Sequence, residues 1–266
     1  MLNSTDLYRG GKLHLALDAQ LAEVKAHPAD AGKRLFLFEL AVLAGDDARA
    51  RRQLDALPPA DNPGVAAAAE SYRLCLDAAA ARRNYFAAGT RPALMDDAPE
   101  HVTLRLDAND RLQAGDAAGA ADLFARADAA APPVTGSFNG EPFGSLRDAD
   151  DRFGPVLEVY ARGKYLWVGL DQVDAVVCNP PKFPRDLFWL PAKLMATSGE
   201  VGDVFLPALY PGSAEHADEA VKLGRTTAWA DGDGPAVGFG TRLLFRGEDA
   251  VPLLDLRQLE VAGRAE

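Results

Sequence analysis

The chain has no isoleucine, and its 266 residues include only two cysteines and four histidines. Cys75 and Cys178 stand about a hundred positions apart, with no further Cys or His at ligand spacing around either. A disulfide framework and a zinc site are thereby excluded, and two buried thiols in a reducing compartment are expected. His14, His27, His101 and His216 are scattered, with no two at metal-ligand spacing. The missing isoleucine, together with the excess of Arg over Lys, reflects a GC-rich coding bias and carries no functional information.

Positive charge is in short supply. Lys and Arg number 28 against 39 Asp and Glu, a formal net charge of −11. Residues 1–133 hold 15 basic and 19 acidic side chains, and residues 134–266 hold 13 and 20. Neither half offers the basic patch that a nucleic acid or an anionic membrane requires. Long apolar runs are absent as well: Leu35 to Ala44 is broken by Glu39 and is far shorter than the roughly 20 residues of a membrane span. The opening MLNSTDLYRGGK has neither a basic nor an apolar leader region, and a cytoplasmic protein is expected.

Catalytic signatures are missing too. There is no Gly-x-Ser-x-Gly elbow, and Gly232-x-Gly234 precedes no clear helix, so neither an activated serine nor a phosphate-cradling loop is indicated. Ser213, His216 and Asp218 have the residue types of a triad, yet they lie in a turn followed by a polar stretch. Asp148, Asp150, Asp151 and Glu158 come closest to chemistry, because clustered carboxylates can hold a hard cation, the basis of a metal-dependent hydrolase reading. A helix cap with solvated charge is the ordinary use of such a cluster. Arg185, Asp186 and Arg225 are expected to form ion pairs within the second half instead of acting on a substrate. No cofactor is implied.

What is present divides the chain in two. With 48% hydrophobic and 25% charged residues, it is long enough for two domains, each with its own core. Residues 1–133 read as helix pairs: Gly11, Ala16 and Pro28 are echoed by Gly45, Ala50 and Pro63 and again by Gly115, Ala120 and Pro132. This is a tetratricopeptide-like layout in which the glycine turns the chain, the alanine lets two helices approach, and the proline stops the second. Leu35 to Leu43 is apolar over a wide arc and is expected to be sandwiched, while Val65 to Phe86 reads as a closely packed, alanine-rich helix.

From Pro132 the composition becomes that of a linker, PPVTGSFNGEPFGSL. Residues 134–266 then supply strand-like runs at Tyr165–Leu170, Val173–Cys178, Leu187–Leu190, Val204–Leu206, Thr226–Trp229, Val237–Phe239, Leu243–Phe245 and Val251–Leu256. An antiparallel sheet or small barrel follows, with a hairpin turn at Asp231-Gly-Asp-Gly234. The fold class is therefore α+β. At the seam, Pro155 and Gly163 bracket a stretch that reads as a short helix capped by Asp150, Asp151 or Gly154. Aromatics concentrate in this half, where two uses compete. They pack a β core, or Tyr165, Trp167, Phe188, Trp189 and Tyr210 form an exposed groove that binds a partner.

Several blocks in order resemble the ImpE family of bacterial type VI secretion accessory proteins over nearly the whole chain. They are Asp148-Ala-Asp-Asp-Arg-Phe-Gly-Pro-Val-Leu-Glu158, Gly163-Lys-Tyr-Leu-Trp-Val168, Arg185-Asp-Leu-Phe-Trp-Leu-Pro-Ala192, Tyr210-Pro-Gly-Ser213, Arg225-Thr-Thr-Ala-Trp229 and Pro252-Leu-Leu-Asp-Leu-Arg257. The Gly10-Gly11 to Pro28 segment and Leu35-Phe-Leu-Phe38 match the family's helical start. Gly202-Asp203 and the loop after Trp229 depart from the pattern. The resemblance implies a non-enzymatic cytoplasmic adaptor that binds an N-terminal helix of the small subunit of the contractile sheath. It also implies a link to the AAA ATPase that recycles the sheath.

Overall fold

The computed structural model describes residues 3–58, 63–95 and 97–262, so Met1 and Leu2 of the opening stretch lie outside it. Helices dominate the first half: α1 (Ser4–Arg9), α2 (Leu13–Ala26), α3 (Ala31–Leu43), α4 (Asp47–Asp55) and the long α5 (Pro63–Ala88). A two-residue strand, β1 (Ala93–Leu94), precedes α6 (Glu100–Gln113) and α7 (Ala117–Ala130). The triple repeat has a direct physical meaning. Gly11, Gly45 and Gly115 turn the chain inside the three helix pairs at φ 77°, 74° and 82°, a region open to glycine because it has no Cβ. Five residues later Ala16, Ala50 and Ala120 are each 0% exposed. Asp30, Asp46 and Asp116 cap α3, α4 and α7 by accepting the N–H of Lys33, Arg49 and Gly119. The prolines differ in role: Pro28 and Pro132 follow helices, whereas Pro63 opens α5, where a missing N–H costs nothing.

The second half contains β2 (Thr135–Phe138), β3 (Glu141–Phe143), β4 (Leu146–Asp148), β5 (Val156–Ala161), β6 (Lys164–Gly169), β7 (Val173–Cys178), β8 (Trp189–Ala196) and β9 (Val201–Pro207). After the one-turn helix α8 (Glu219–Lys222) come β10 (Thr227–Trp229), β11 (Gly238–Gly240), β12 (Leu243–Arg246), β13 (Asp249–Pro252) and β14 (Gln258–Ala262). Nine strands form an open sheet in the order β1-β6-β5-β9-β8-β7-β14-β2-β3, antiparallel except where β1 joins β6. Smaller sheets are β13-β12-β4 and β10-β11, the latter closing the expected hairpin with Trp229 opposite Gly238. The α+β expectation holds, with an open sheet in place of a barrel. Gly202 and Asp203 sit in regular register opposite Leu194 and Lys193.

Two stretches differ from the sequence reading. The linker-like segment folds as the β2–β3 hairpin, whose turn is Asn139-Gly140 with φ 55° and 85°, the positive pair that a tight two-residue hairpin demands. The short helix expected after Pro155 is strand β5, joined to β6 by a second such turn at Arg162-Gly163, φ 50° and 79°. β5 is buried on both faces: Val156 and Tyr160 enter one core, Leu157 and Val159 the other. A strand covered on both sides has no polar edge to reveal its period of two. β8 also runs past the expected Leu190, and Val251–Leu256 divides into β13 and a 3₁₀ turn at Leu253–Asp255.

One apolar cluster fills the space between the helices and the sheet, joining Leu37, Phe38, Leu76 and Tyr85 to Phe153, Trp167, Trp189 and Tyr210. The second occupies the opposite sheet face, where Val176, Leu190 and Leu206 meet Leu146, Leu244 and Leu253. α5 packs directly against β5 and β6. Because Ala50 is sealed at its helix crossing, Ala50→Leu is expected to lower the unfolding free energy by about 1–3 kcal/mol through overpacking. Urea titration checks this as a reduced midpoint at an unchanged slope.

Candidate functional site

None of the five aromatics expected to form a docking groove is more than 4% exposed. Trp167 packs edge-on against Tyr85 with ring centroids 5.7 Å apart, and Trp189 lies 5.9 Å from Phe38 and 5.0 Å from Phe188. Tyr165 and Tyr210 belong to the same helix–sheet core. An exposed aromatic groove made of these residues is therefore overturned: α3 and α5 cover the sheet face from which they project. Phe188, Trp189 and Tyr210 still reach the wall of a cavity at the seam.

The carboxylates that suggested a metal are instead bound by guanidinium groups. Glu158, wholly buried on β5, accepts two hydrogen bonds from Arg82 of α5, at 2.7 and 2.6 Å, and is also held by Arg242 and the Tyr165 hydroxyl. Trp167 Nε1 donates to that hydroxyl at 2.5 Å. Asp148 accepts from Tyr210 at 2.8 Å and lies 3.1 Å from Arg242. Asp150 pairs with Arg152 at 2.6 Å and accepts from Gly238 N–H at 2.7 Å. Three anions thus meet three cations, and the cluster is electrically closed. Burial pushes the Asp148 carboxyl up to about 6 against the pull of Arg242, and draws Arg242 down to about 10. Asp151 lies apart, paired with Arg147. Among the described residues no group of three His, Cys, Asp or Glu is placed to hold a metal.

Other sequence candidates resolve into structural roles. Ser213 Oγ donates to the Tyr210 carbonyl at 2.6 Å and accepts from Gly240 N–H at 2.7 Å, while His216 Nδ1 accepts from Asp218 N–H, so no triad forms. Cys75 and Cys178 are buried thiols, and burial pushes Cys178 up to about 12. Arg185 and Arg225 do not pair within the second half. Arg185 crosses to Glu39 of α3 at 2.5 Å, and Arg225 donates to the carbonyls of Tyr8 and Arg9 at the end of α1. Asp186 accepts from the N–H groups of Lys182 and Phe183. His101, 1% exposed, lies 2.9 Å from Asp171.

The open surface lies beyond α5. That helix covers β5 and β6, and the same sheet face is closed at Trp189 and Phe205 by α3 and α5 but open further along β9, β8 and β7, at Asp203, Lys193 and Val177. Register aligns Tyr160, Phe205 and Pro191 in one row and Asp203, Lys193 and Val177 in the next. A groove of about 500 Å³ runs between these rows and Ser71 and Leu74 of α5. Val177 is 43% exposed, and Val201, two strand positions from Asp203, is 56% exposed. Three strands span roughly 10 Å, close to the diameter of an α-helix with its side chains. The sequence carried one signal for this surface. Val176-Val177 makes β7 apolar on both faces, yet cover exists on only one.

A sequence model of the ImpE protein family matches residues 140–260. The chain is 36% identical over 255 residues to a type VI secretion system accessory component, TagJ, of Pseudomonas aeruginosa, a match covering 96% of this chain and 89% of that one. Its fold is shared by the crystal structure of protein VPA1032 from Vibrio parahaemolyticus, with a TM-score of 0.86 and 25% identity over 98% of both chains.

Two outcomes follow from the buried charges. Arg82→Met leaves Glu158 underpaired and is expected to cost about 3 kcal/mol or more, whereas Arg83→Met, at a half-exposed pair with Asp47, costs less than about 1 kcal/mol. Chemical denaturation of the two variants checks the contrast. Burial pushes Glu39 from its ordinary 4.5 up to about 7, with Arg185 opposing, so the folded state holds a proton that the unfolded chain has released. Its contribution to stability therefore falls as pH rises from about 4.5 to about 7, by roughly 3 kcal/mol at most. The difference in unfolding free energy between the wild type and Glu39→Gln, followed across that window, should show this slope.

Proposed function

The chain belongs to the ImpE family, and from that premise we propose that it serves a bacterial type VI secretion system as a non-enzymatic cytoplasmic adaptor. It binds the N-terminal helix of the small subunit of the contractile sheath and connects the sheath to the AAA ATPase that recycles it. The accessory role follows from the TagJ relative, the sheath subunit is the partner that the family resemblance implies, and the groove beside α5 is where we place it. That groove carries the argument. It is a helix-wide strip of sheet, apolar at Val177, Pro191 and Phe205 and flanked by an existing helix, and an amphipathic helix laid on it completes the layer that α5 begins. Lys193 and Asp203 stand opposite each other on its floor and offer one charge of each sign to the polar edges of an incoming helix.

We further propose that the tetratricopeptide-like unit of residues 1–133 and the β-rich unit of residues 134–266 act as a single body. Arg82, Glu39 and Tyr8 of the first are bonded to Glu158, Arg185 and Arg225 of the second. No helix among the described residues is long and apolar enough to cross a membrane.

The test is calorimetry of the full chain against a peptide covering the N-terminal helix of the small sheath subunit. Saturable binding is expected, weakened about tenfold or more when Val177→Asp and Val201→Asp are combined, since an unpaired charge in an apolar contact costs at least about 1.4 kcal/mol. Both positions are exposed, so the variant keeps its thermal midpoint. Failure of the intact protein to bind the peptide would sink this reading.

A further inference from the structure

A second concavity lies on the other side of α5, at the seam itself, with a volume of about 350 Å³. Its walls are the α3–α4 turn at Gly45, the last turns of α5, the start of β8 and the Tyr210-Pro-Gly-Ser213 turn. The size lies in the range of small-molecule sites. The interior is aromatic: Tyr160, Phe188, Trp189 and Tyr210 contribute to the lining.

The polar groups on the lining are unlike the rest of the surface. In a chain with 11 more acidic than basic side chains, three cations, Arg82, Arg83 and Lys222, line this cavity against one carboxylate, Glu215. Arg82 and Arg83 are paired, but their partners Glu158 and Asp47 are not part of the lining. Each anion thus stands outside the lining to which its arginine contributes. Lys222 makes no ion pair among the described residues. Burial draws Arg83 below its ordinary value, with Tyr160 and Glu215 opposing.

From this juxtaposition of an aromatic-walled cavity with three cationic residues in its lining, we propose that the seam cavity binds a small aromatic carboxylate. The ring lies against Trp189 and Tyr160, and the carboxylate meets Lys222 and Arg83. Such a carboxylate gains charge-assisted hydrogen bonds, and its apolar body leaves water for a chamber formed before it arrives. The proposal does not depend on the sheath partner or on the groove.

Calorimetry or ligand-observed NMR of the full chain with indole-3-acetate, and with its neutral amide as control, tests it. Saturable binding of the acid is expected, at least about tenfold tighter than the amide, a difference of roughly 1.4 kcal/mol. Lys222→Glu combined with Arg83→Gln should abolish the preference while thermal unfolding stays in place, because both side chains are at least partly exposed. Equal affinity for acid and amide, no saturation, or indifference to the double substitution would each overturn the proposal. So would binding confined to peptides ending in tryptophan, because the occupant would then be a chain terminus and not a free small molecule.

Discussion

A fully buried carboxylate needs cations around it, and in this protein Glu158 draws them from distant parts of the chain. Arg82 comes from α5 and Arg242 from the turn before β12, so the charge on β5 is satisfied only when helix and sheet have met. Either part alone exposes unpaired charge at a surface that is otherwise apolar. Removing one member of such a group leaves an uncompensated ion in a low dielectric, which is why buried pairs act on specificity of arrangement more than on net stability. The helices are thus held at one position and angle, not merely attracted to an apolar sheet.

That fixed seam explains both candidate surfaces. α5 is anchored over β5 and β6 and therefore leaves β9, β8 and β7 bare at Asp203, Lys193 and Val177 on one side, while the turn at Gly45 and the Tyr210 to Ser213 turn enclose a chamber on the other. Tyr160 of β5 lines both spaces. The same anchoring occupies the two best-bonded carboxylates, Glu158 and Asp150. Glu158 and Asp150 each accept four or more hydrogen bonds, which occupy the lone pairs that a metal or a proton transfer requires.

Much of this fold was legible before any coordinates. The Gly–Ala spacing located three helix turns because a residue at positive φ and a residue at a tight helix crossing leave little choice of side chain. Most strands after residue 164 were legible because Gly-, Pro- and Asp-rich breaks delimit them. The failures share one cause, burial by distant parts of the chain. β5 was taken for a helix because its polar residue, Glu158, faces a core and its neighbours face another, which erases the alternation. For the five aromatics the sequence leaves core and surface both open, because composition cannot distinguish an interface from a core when both favour the same rings. Asn139-Gly140 was a stronger signal than the linker composition around it, since two adjacent positive φ angles make a hairpin.

The groove itself was the least legible feature, and the reason is geometric. Whether a strand face is open depends on where a helix more than a hundred residues away ends its cover, and no local pattern encodes that distance. Val177 and Val201 look like ordinary strand valines in sequence, and only the registers of β7, β8 and β9 bring them onto one face. A bare, partly apolar strip beside a helix is retained at a cost in solubility, in a chain otherwise well supplied with surface charge. With the seam fixing α5 in place, the strip keeps a constant width near 10 Å, which suits a rigid helix better than a flexible loop.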